Sequence, residues 1–128
     1  MNVDQIVKLK KISQQLRRSV IRELSAAGSG HSAGCLGFAD VMAVLYFYAM
    51  RLDPENPNWE DRDIFVMSNG HYAPLLYATL AERGFFDKKE LVNLRKFGSK
   101  LQGHPERDSL AGIETTSGPL GCGLSQAA

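Results

Sequence analysis

The chain has 128 residues, an ordinary length for one domain, and a hydrophobic fraction of 44%, which is enough for a globular core. Its 15 basic and 14 acidic residues leave a formal net charge of +1, so the chain shows no electrostatic footprint for nucleic acid or an anionic membrane surface. The basic run of Lys8 to Lys11 and Arg17-Arg18 is interpreted as the solvated face of a helix.

Three further features bear on the expected location. No apolar stretch reaches the roughly 18 residues that a membrane span requires, and the N-terminal MNVDQIVKLKK lacks the apolar core of a signal peptide. The two cysteines, Cys35 and Cys122, make no disulfide framework. We therefore expect a reducing, cytoplasmic location.

Two helices are predicted in the first fifty residues. Asp4 is expected to cap the first helix, which should end at 26–28, where the sequence becomes rich in glycine and serine. The apolar stripe of this helix comprises Ile6, Leu9, Leu16, Val20 and Leu24. A second helix is predicted from about Leu36 to Met50, and it is apolar on all sides, so we expect it in the interior.

A loop rich in proline, asparagine and charged residues occupies 53–63. The following run from Asp63 to Ser68 is the best strand candidate, because a continuous apolar run is typical of parallel strands buried on both faces. Pro74 is then expected in the first turn of a helix that ends at Arg83-Gly84.

The last third of the chain is predicted to be mostly short elements. Asp87 should cap a short helix over about 88–96, and Ile113 to Thr115 is a second, shorter strand candidate. A glycine-rich turn at 118–123 precedes the opening of a final helix. Because so few strands cannot make a sheet, the chain is predicted to be an α/β, helix-rich portion of a larger unit, a single partial domain over 1–128 whose parallel sheet is incomplete.

Each of the three histidines lies beside a glycine, in Gly30-His31, Gly70-His71 and Gly103-His104. Glycine permits backbone angles and close approaches that other residues do not, so such turns can aim a side chain at a pocket. His71 also follows the carboxyl end of the predicted strand, the edge where open α/β sheets bind ligands. Histidine exchanges protons near neutral pH. A single one could be a surface or hydrogen-bonded loop residue, but the three together favour a ligand site.

Other interpretations of these motifs are open. The GPLGCG turn at 118–123 matches neither a P-loop nor GxGxxG, and it is either a structural turn or one that approaches a ligand before a helix. The two cysteines are expected to be small buried or half-buried residues rather than nucleophiles. A zinc site is a further alternative, although no CxxC or HExxH spacing supports it. Its candidate ligands are His31, Cys35, His71, His104 and Cys122.

Four ordered motifs carry a family resemblance: SGHSAGCLGFADVMAVLYF, DRDIFVMSNGHYAPLLYATLAERGFF, LQGHPE and ETTSGPLGCGLSQAA. Together they resemble the amino-terminal part of transketolase, from about Leu16 to Ala128. The similarity is closest to the split type, in which the amino-terminal half is a subunit of its own. Deoxyxylulose-phosphate synthases, a related family, have a different sequence around the Gly-His pair.

The resemblance implies roles for the three histidines. His31 matches a histidine that contacts the donor sugar near its reacting carbon. His71 matches one beside thiamine diphosphate, toward its diphosphate end. His104 matches one that contacts the terminal hydroxyl of the substrate and can help to move protons. His31 and His104 are thus the expected catalytic and substrate-binding residues, and His71 is expected to bind the cofactor.

The resemblance also assigns the glycine turn to the cofactor. Three residues match the segment whose backbone lies against the aminopyrimidine ring, namely Gly118, Pro119 and Leu120. One departure concerns the first motif, because many full-length relatives have proline after GH where this chain has Ser32-Ala33. That difference affects the expected geometry of the loop that carries His31.

The resemblance implies transfer of a two-carbon ketol unit from a ketose phosphate to an aldose phosphate, in carbohydrate metabolism by the pentose phosphate pathway, with thiamine diphosphate as electron sink. The family holds the diphosphate through Mg²⁺ on a GDG segment and a later asparagine, and no GDG occurs here. A glutamate that activates the aminopyrimidine comes from another domain across a dimer interface. We therefore expect a carboxy-terminal partner half and a second copy, and an inactive chain when it is alone. A non-catalytic assembly or regulatory relative is the alternative.

Overall fold

The computed structural model describes all residues, 1–128, and contains helices and loops only. The four α-helices are α1 (Val3–Ala27), α2 (Ala33–Val44), α3 (Ala73–Arg83) and α4 (Gly123–Ala127). A π-helical turn over Leu45–Ala49 continues α2, and 3₁₀ turns occupy Gly70–Tyr72 and Lys88–Asn93. None of the helices is long and apolar enough to cross a membrane.

Helix α1 begins at a reciprocal cap. The Asn2 side chain accepts a hydrogen bond from the Gln5 backbone N–H (2.9 Å), and the Gln5 side chain accepts one from the Asn2 backbone N–H (2.8 Å). The predicted cap at Asp4 was therefore wrong by two residues. The helix ends as predicted, because Gly28 takes the left-handed conformation (φ 67°) that stops a helix.

The prediction of a parallel sheet was wrong. The segment 64–67 forms no ladder with another segment, and neither does 113–115. Ile64 is 61% exposed, so this apolar run is not buried on both faces as the prediction required. A strand exists only when a second strand satisfies its backbone groups, and the apolar helices here bury their side chains against one another instead. The fold class of residues 1–128 is therefore all-helical with long connecting loops.

The core lies around α3. Every residue from Ala73 to Ala81 is buried, and α1 and α2 pack on this helix. The Arg83 guanidinium donates to the backbone oxygens of Tyr46 (3.1 Å) and Leu52 (3.3 Å), which fixes the end of α3 against the turn that follows α2. Because α3 starts directly after the SNGH motif, the core determines where His71 is held.

Helix α2 is buried on one side only. Cys35, Ala39 and Met42 are fully buried, whereas Val41 is 42% exposed and Tyr48, in the π turn that continues the helix, is 49% exposed. The expectation that this helix lies wholly in the interior was therefore wrong for its outer face. The π turn keeps Tyr46 in the core, where burial raises the pKa of its hydroxyl well above the usual range.

The remaining predicted elements are close to those observed. The Asp87 side chain caps its turn by accepting from the Lys89 backbone N–H (2.9 Å), although the turn is 3₁₀ and ends at Asn93 rather than at residue 96. Helix α3 ends at Gly84 in the left-handed conformation, as expected. Of the two cysteines, both free thiols, Cys35 is buried as predicted and Cys122 is exposed, contrary to the prediction.

Candidate cofactor and substrate site

The loop before α2 and the turn before α3 bring two histidines together. The rings of His31 and His71 are 5.1 Å apart between centroids and inclined at 64°, in an edge-to-face arrangement. The ring of Tyr72 also contacts that of His71, with centroids 4.6 Å apart and an inclination of 81°. A Cβ at Gly34, in the first turn of α2, would overlap the Tyr72 ring, so the absence of a side chain there lets α2 approach this turn.

The SNGH turn lies directly against the glycine-rich segment near the end of the chain. A Cβ at Gly70 would overlap the backbone of Ser117, and a Cβ at Gly123 would overlap Ser68. The Ser68 hydroxyl also accepts a hydrogen bond from the Gly123 backbone N–H (3.1 Å). Glycine at both positions is therefore a steric requirement, and it brings the turn at 118–123 beside His71.

Tyr77, a core residue, holds the loop that carries His104. The Tyr77 hydroxyl donates to the backbone oxygens of Gln102 (2.9 Å) and His104 (3.3 Å), while the His104 side chain is exposed. Tyr77 is fully buried, and this burial raises the pKa of its hydroxyl well above the usual range, so the hydroxyl stays a donor. The loop is thus fixed by its backbone, and the imidazole is free to contact a ligand.

His104 also approaches the glycine turn. A Cβ at Gly118 would lie 3.7 Å from Cδ2 of His104, which is ordinary contact distance. The Ser117 backbone N–H donates to the backbone oxygen of Pro105 (3.2 Å) and joins the two segments. All three histidines are therefore linked through neighbouring segments: His31 to His71 by ring contact, and His71 to His104 through the segment 117–118.

The turn at 118–121 leaves space that could receive an aromatic ring. Leu120 is 69% exposed, and a Cβ at Gly121 would meet nothing within 4 Å. The neighbouring Ser117 hydroxyl is buried and has no hydrogen-bond partner. The exposed side chain of Leu120 and the open backbone at Gly121 leave this turn accessible to a flat ligand surface.

An ion pair holds the approach to the site in place. The Arg62 guanidinium donates to both carboxylate oxygens of Glu114, each at 2.9 Å, and also to the backbone oxygen of Trp59 (2.9 Å). Both charged side chains are about four-fifths buried. This bidentate pair joins the segment that leads to SNGH with the segment that leads to TSGPLG. No local sequence pattern predicts this pair, because 52 residues separate the partners.

Arg95, which has no role predicted from the sequence, lies close to the GHPE loop. Its backbone φ is 60°, in the left-handed region where a residue other than glycine costs roughly 1 kcal/mol. Its N–H donates to the backbone oxygen of Leu101 (2.8 Å), which closes the loop before GHPE. Its Nε would be 3.2 Å from a Cβ at Gly103, so the guanidinium lies over the residue that precedes His104.

A metal is not held by these residues alone. No group of three or more histidine, cysteine, aspartate or glutamate side chains in the chain has a geometry that could hold a metal ion. The five candidate zinc ligands are therefore not assembled. Cys35 lies in the core, and burial raises the pKa of its thiol to about 11, which makes it a poor ligand and nucleophile.

Comparisons with known proteins identify the family of this chain. Residues 8–128 match the family model "Transketolase, thiamine diphosphate binding domain". Transketolase of Mus musculus is 48% identical over 122 residues, which are 93% of this chain and 19% of that protein. The 6-deoxy-6-sulfo-D-fructose transketolase subunit SqwG of a Clostridium species is 39% identical over 124 residues, which are 97% of this chain and 45% of that subunit.

Comparison with solved structures indicates the same family. The transketolase from Leishmania mexicana superposes with a TM-score of 0.89 at 38% identity, over 93% of this chain and 18% of that one. The chain thus spans about a fifth of the length of the curated mouse relative and just under half of the SqwG subunit. With the family model matched over residues 8–128, the chain belongs to the transketolase family, in its thiamine diphosphate binding domain.

Proposed function

We propose that this chain is the amino-terminal part of a transketolase that moves a two-carbon ketol unit from a ketose phosphate to an aldose phosphate. The observation that carries the proposal is the convergence of three histidines from separate segments beside an open glycine turn. Residues 1–128 then form a single partial domain, whose active site is completed by protein beyond these residues.

Thiamine diphosphate, when bound, supplies the electron sink that lets a carbon–carbon bond beside a carbonyl break and form. His71, which is half-buried and whose ring contacts those of His31 and Tyr72, would lie toward its diphosphate end. The backbone of Gly118, Pro119 and Leu120 would lie against its aminopyrimidine ring. The exposed Leu120 and the open backbone at Gly121 support that assignment.

His31 and His104 are the proposed catalytic and substrate-binding residues. Both residues are exposed, and the backbone that carries His104 is held by the Tyr77 hydroxyl. A ketose carbonyl becomes an alkoxide and an alcohol becomes a carbonyl during ketol transfer, so protons must be delivered and removed. Histidines in hydrogen-bond reach can do this near neutral pH, each with a contribution on the order of 10²–10⁴ in rate.

The proposal includes partners that these residues do not provide. Mg²⁺ would be bound by a segment outside residues 1–128, because no metal-ligating cluster is assembled within them. A carboxy-terminal half, as a continuation or as a separate subunit, and a second copy of the enzyme would supply the remaining site residues. The match to SqwG, named as a subunit, supports a separate subunit. The two free thiols support a reducing, cytoplasmic location for this pentose phosphate pathway activity.

Reconstitution tests the function directly. The chain, joined to or mixed with a carboxy-terminal transketolase half, is assayed for ketol transfer with thiamine diphosphate and Mg²⁺. Transfer from a ketose phosphate to an aldose phosphate is the expected result. An assembled complex without any transfer would instead favour the non-catalytic alternative, an assembly or regulatory subunit.

The isolated chain provides a second test. Calorimetric titration with thiamine diphosphate and Mg²⁺ should show little binding, because the metal ligands and the activating glutamate are not among residues 1–128. Micromolar affinity of the isolated chain for the cofactor would contradict this part of the proposal.

A further inference from the structure

Glu23 is the only aspartate, glutamate, lysine, arginine or histidine side chain that is buried in the chain. Neither of its carboxylate oxygens has a hydrogen-bond partner, and it forms no salt bridge. A buried carboxyl without a partner destabilises a core in which an apolar side chain of the same volume would pack without that cost. The position of Glu23 therefore indicates a role other than stability.

Glu23 lies near the end of α1, and α1 packs against both α2 and α3. Two ionisable groups on these helices sense its charge: Cys35, in the first turn of α2, and Tyr77, on α3. Both are themselves fully buried. The carboxyl is therefore buried where three helices meet.

The same junction carries the histidine pair. His31 lies two residues before α2, and His71 lies two residues before α3. The loop before α2 also rests on the end of α1, because a Cβ at Gly30 would overlap the side chain of Leu24, the neighbour of Glu23 in the chain. A movement of the end of α1 would therefore displace the loop that carries His31 relative to the turn that carries His71.

No positive charge stabilises the ionised form of Glu23. Burial raises the pKa of the facing Cys35 thiol to about 11 and that of the facing Tyr77 hydroxyl well above the usual range, so both groups are neutral near pH 7. The 3₁₀ turn over Lys88–Asn93 also packs on α1. The charged side chains of this turn, and the neighbouring one on α1, are exposed: Lys88, Lys89, Glu90 and Arg22.

Ionisation of Glu23 is consequently coupled to a change in packing. Burial raises the pKa of its carboxyl from 4.5 to about 9, so the group is protonated in the folded protein at neutral pH. A carboxylate at this position has to be solvated, because no protein group compensates its charge. Water reaches it when the end of α1 separates from the starts of α2 and α3.

We infer that Glu23 is a positioning residue, whose protonated carboxyl keeps α1 packed on α2 and α3 and whose ionisation separates the His31–His71 pair and weakens thiamine diphosphate binding. The inference rests on the proposed cofactor site and adds a proton-dependent control to it. Glu23 does not touch the cofactor, since it acts through the loop before α2. Because the binding-competent form holds the proton, cofactor affinity should be full well below the pKa of about 9 and should fall as the pH rises through it.

The test measures the affinity of the reconstituted enzyme for thiamine diphosphate, with Mg²⁺ present, at about pH 7.5 and at about pH 9.5. The wild-type enzyme should lose about fourfold more affinity over this interval than Glu23→Gln, because only about a quarter of the carboxyls keep the proton half a unit above a pKa of about 9. Glu23→Met, which removes the ionisable group at similar volume, should behave as Glu23→Gln does. Both variants should match the wild-type affinity at the lower pH.

Amide hydrogen exchange of the cofactor-free enzyme gives a second readout that does not depend on a ligand. At the higher pH, exchange over residues 31–36 should be faster in the wild type than in Glu23→Gln, because the start of α2 is loosened only where the carboxyl can ionise. Equal exchange in the two proteins would contradict the proposed movement.

Glu60→Gln is the matched control, because it removes an exposed carboxylate and should follow the wild type at both pH values. Parallel affinity profiles for the wild type and both Glu23 variants would overturn the inference. A loss of affinity that coincides with global unfolding, measured by far-ultraviolet circular dichroism, would also overturn it, because the site would then be lost with the fold. A wild-type enzyme that binds no thiamine diphosphate at the lower pH would instead overturn the proposed cofactor site, and the inference with it.

Discussion

The imidazoles of His31 and His71 are in edge-to-face contact, 5.1 Å apart between centroids, although 40 positions separate them in the chain. Each histidine lies just before a helix, His31 before α2 and His71 before α3. The packing of these two helices therefore sets the distance between the two side chains. The site is consequently sensitive to small changes at the starts of α2 and α3.

Replacement of His31 or His104 by alanine should lower turnover in the reconstituted enzyme by at least about tenfold, because each is proposed to handle protons of the substrate. Both side chains are exposed, so thermal unfolding should change little. Steady-state kinetics with a ketose phosphate donor would check the prediction. Unchanged turnover in both variants would remove the assigned roles.

Tyr77→Phe should loosen the His104 loop without touching the ligand. The change removes the hydroxyl that donates to the Gln102 and His104 backbone oxygens, at an expected cost of about 1 kcal/mol in the free energy of unfolding. We expect turnover to fall in the same direction as in His104→Ala, but by less. Denaturant unfolding and kinetics on one preparation provide both measurements. Lost stability with full turnover would restrict Tyr77 to a structural role.

Two glycines in α2 offer a matched pair. Gly34→Ala places a methyl group into the Tyr72 ring, which packs on His71, whereas a Cβ at Gly37 meets nothing within 4 Å. We expect Gly34→Ala to destabilise the protein by about 1–3 kcal/mol and to weaken cofactor binding. Gly37→Ala should stabilise the helix by about 0.5–1 kcal/mol and leave cofactor binding unchanged. Thermal unfolding and cofactor titration of the reconstituted enzyme distinguish the two, and equal effects would contradict the prediction.

The helices were predictable because their signals are local. The glycine stops at Gly28 and Gly84 and the cap at Asp87 each act within one turn, and the structure has all three. The absence of a strand at 64–67 was not predictable in the same way, since strand formation depends on a partner that no local pattern reveals. The apolar run predicted burial on both faces, but Ile64 is exposed.

In the candidate site, too, local motifs were predictable and long-range contacts were not. The glycine–histidine motifs were visible in the sequence, and the structure brings the segments that carry them together. The residues that position them were not visible, because Tyr77 and Arg62 act on segments 25 to 52 residues away. The position of Arg95 was not predictable either, because its positive φ and its proximity to Gly103 are properties of the folded chain.

Glu23 leads to a prediction about pH. Its side chain lies fully buried on α1, and neither carboxylate oxygen has a hydrogen-bond partner. Burial raises the pKa of this carboxyl from 4.5 to about 9, and the ionisable groups that sense its charge are Cys35 and Tyr77. The folded protein thus holds a proton that the unfolded chain releases. Stability from this group is full below about 4.5 and falls as the pH rises toward about 9.

Glu23→Gln removes that proton linkage at nearly constant volume. Between about pH 5 and about pH 8, the wild-type protein should lose at least about 1 kcal/mol more of its free energy of unfolding than the variant, because each unit of pKa shift is worth about 1.4 kcal/mol. Glu60→Gln, a change at an exposed carboxylate, should leave the pH dependence as it is in the wild type. Denaturant unfolding at the two pH values measures the difference. Parallel pH profiles for wild type and Glu23→Gln would mean that Glu23 is solvated or paired, and that its carboxyl does not carry a proton in the fold at neutral pH.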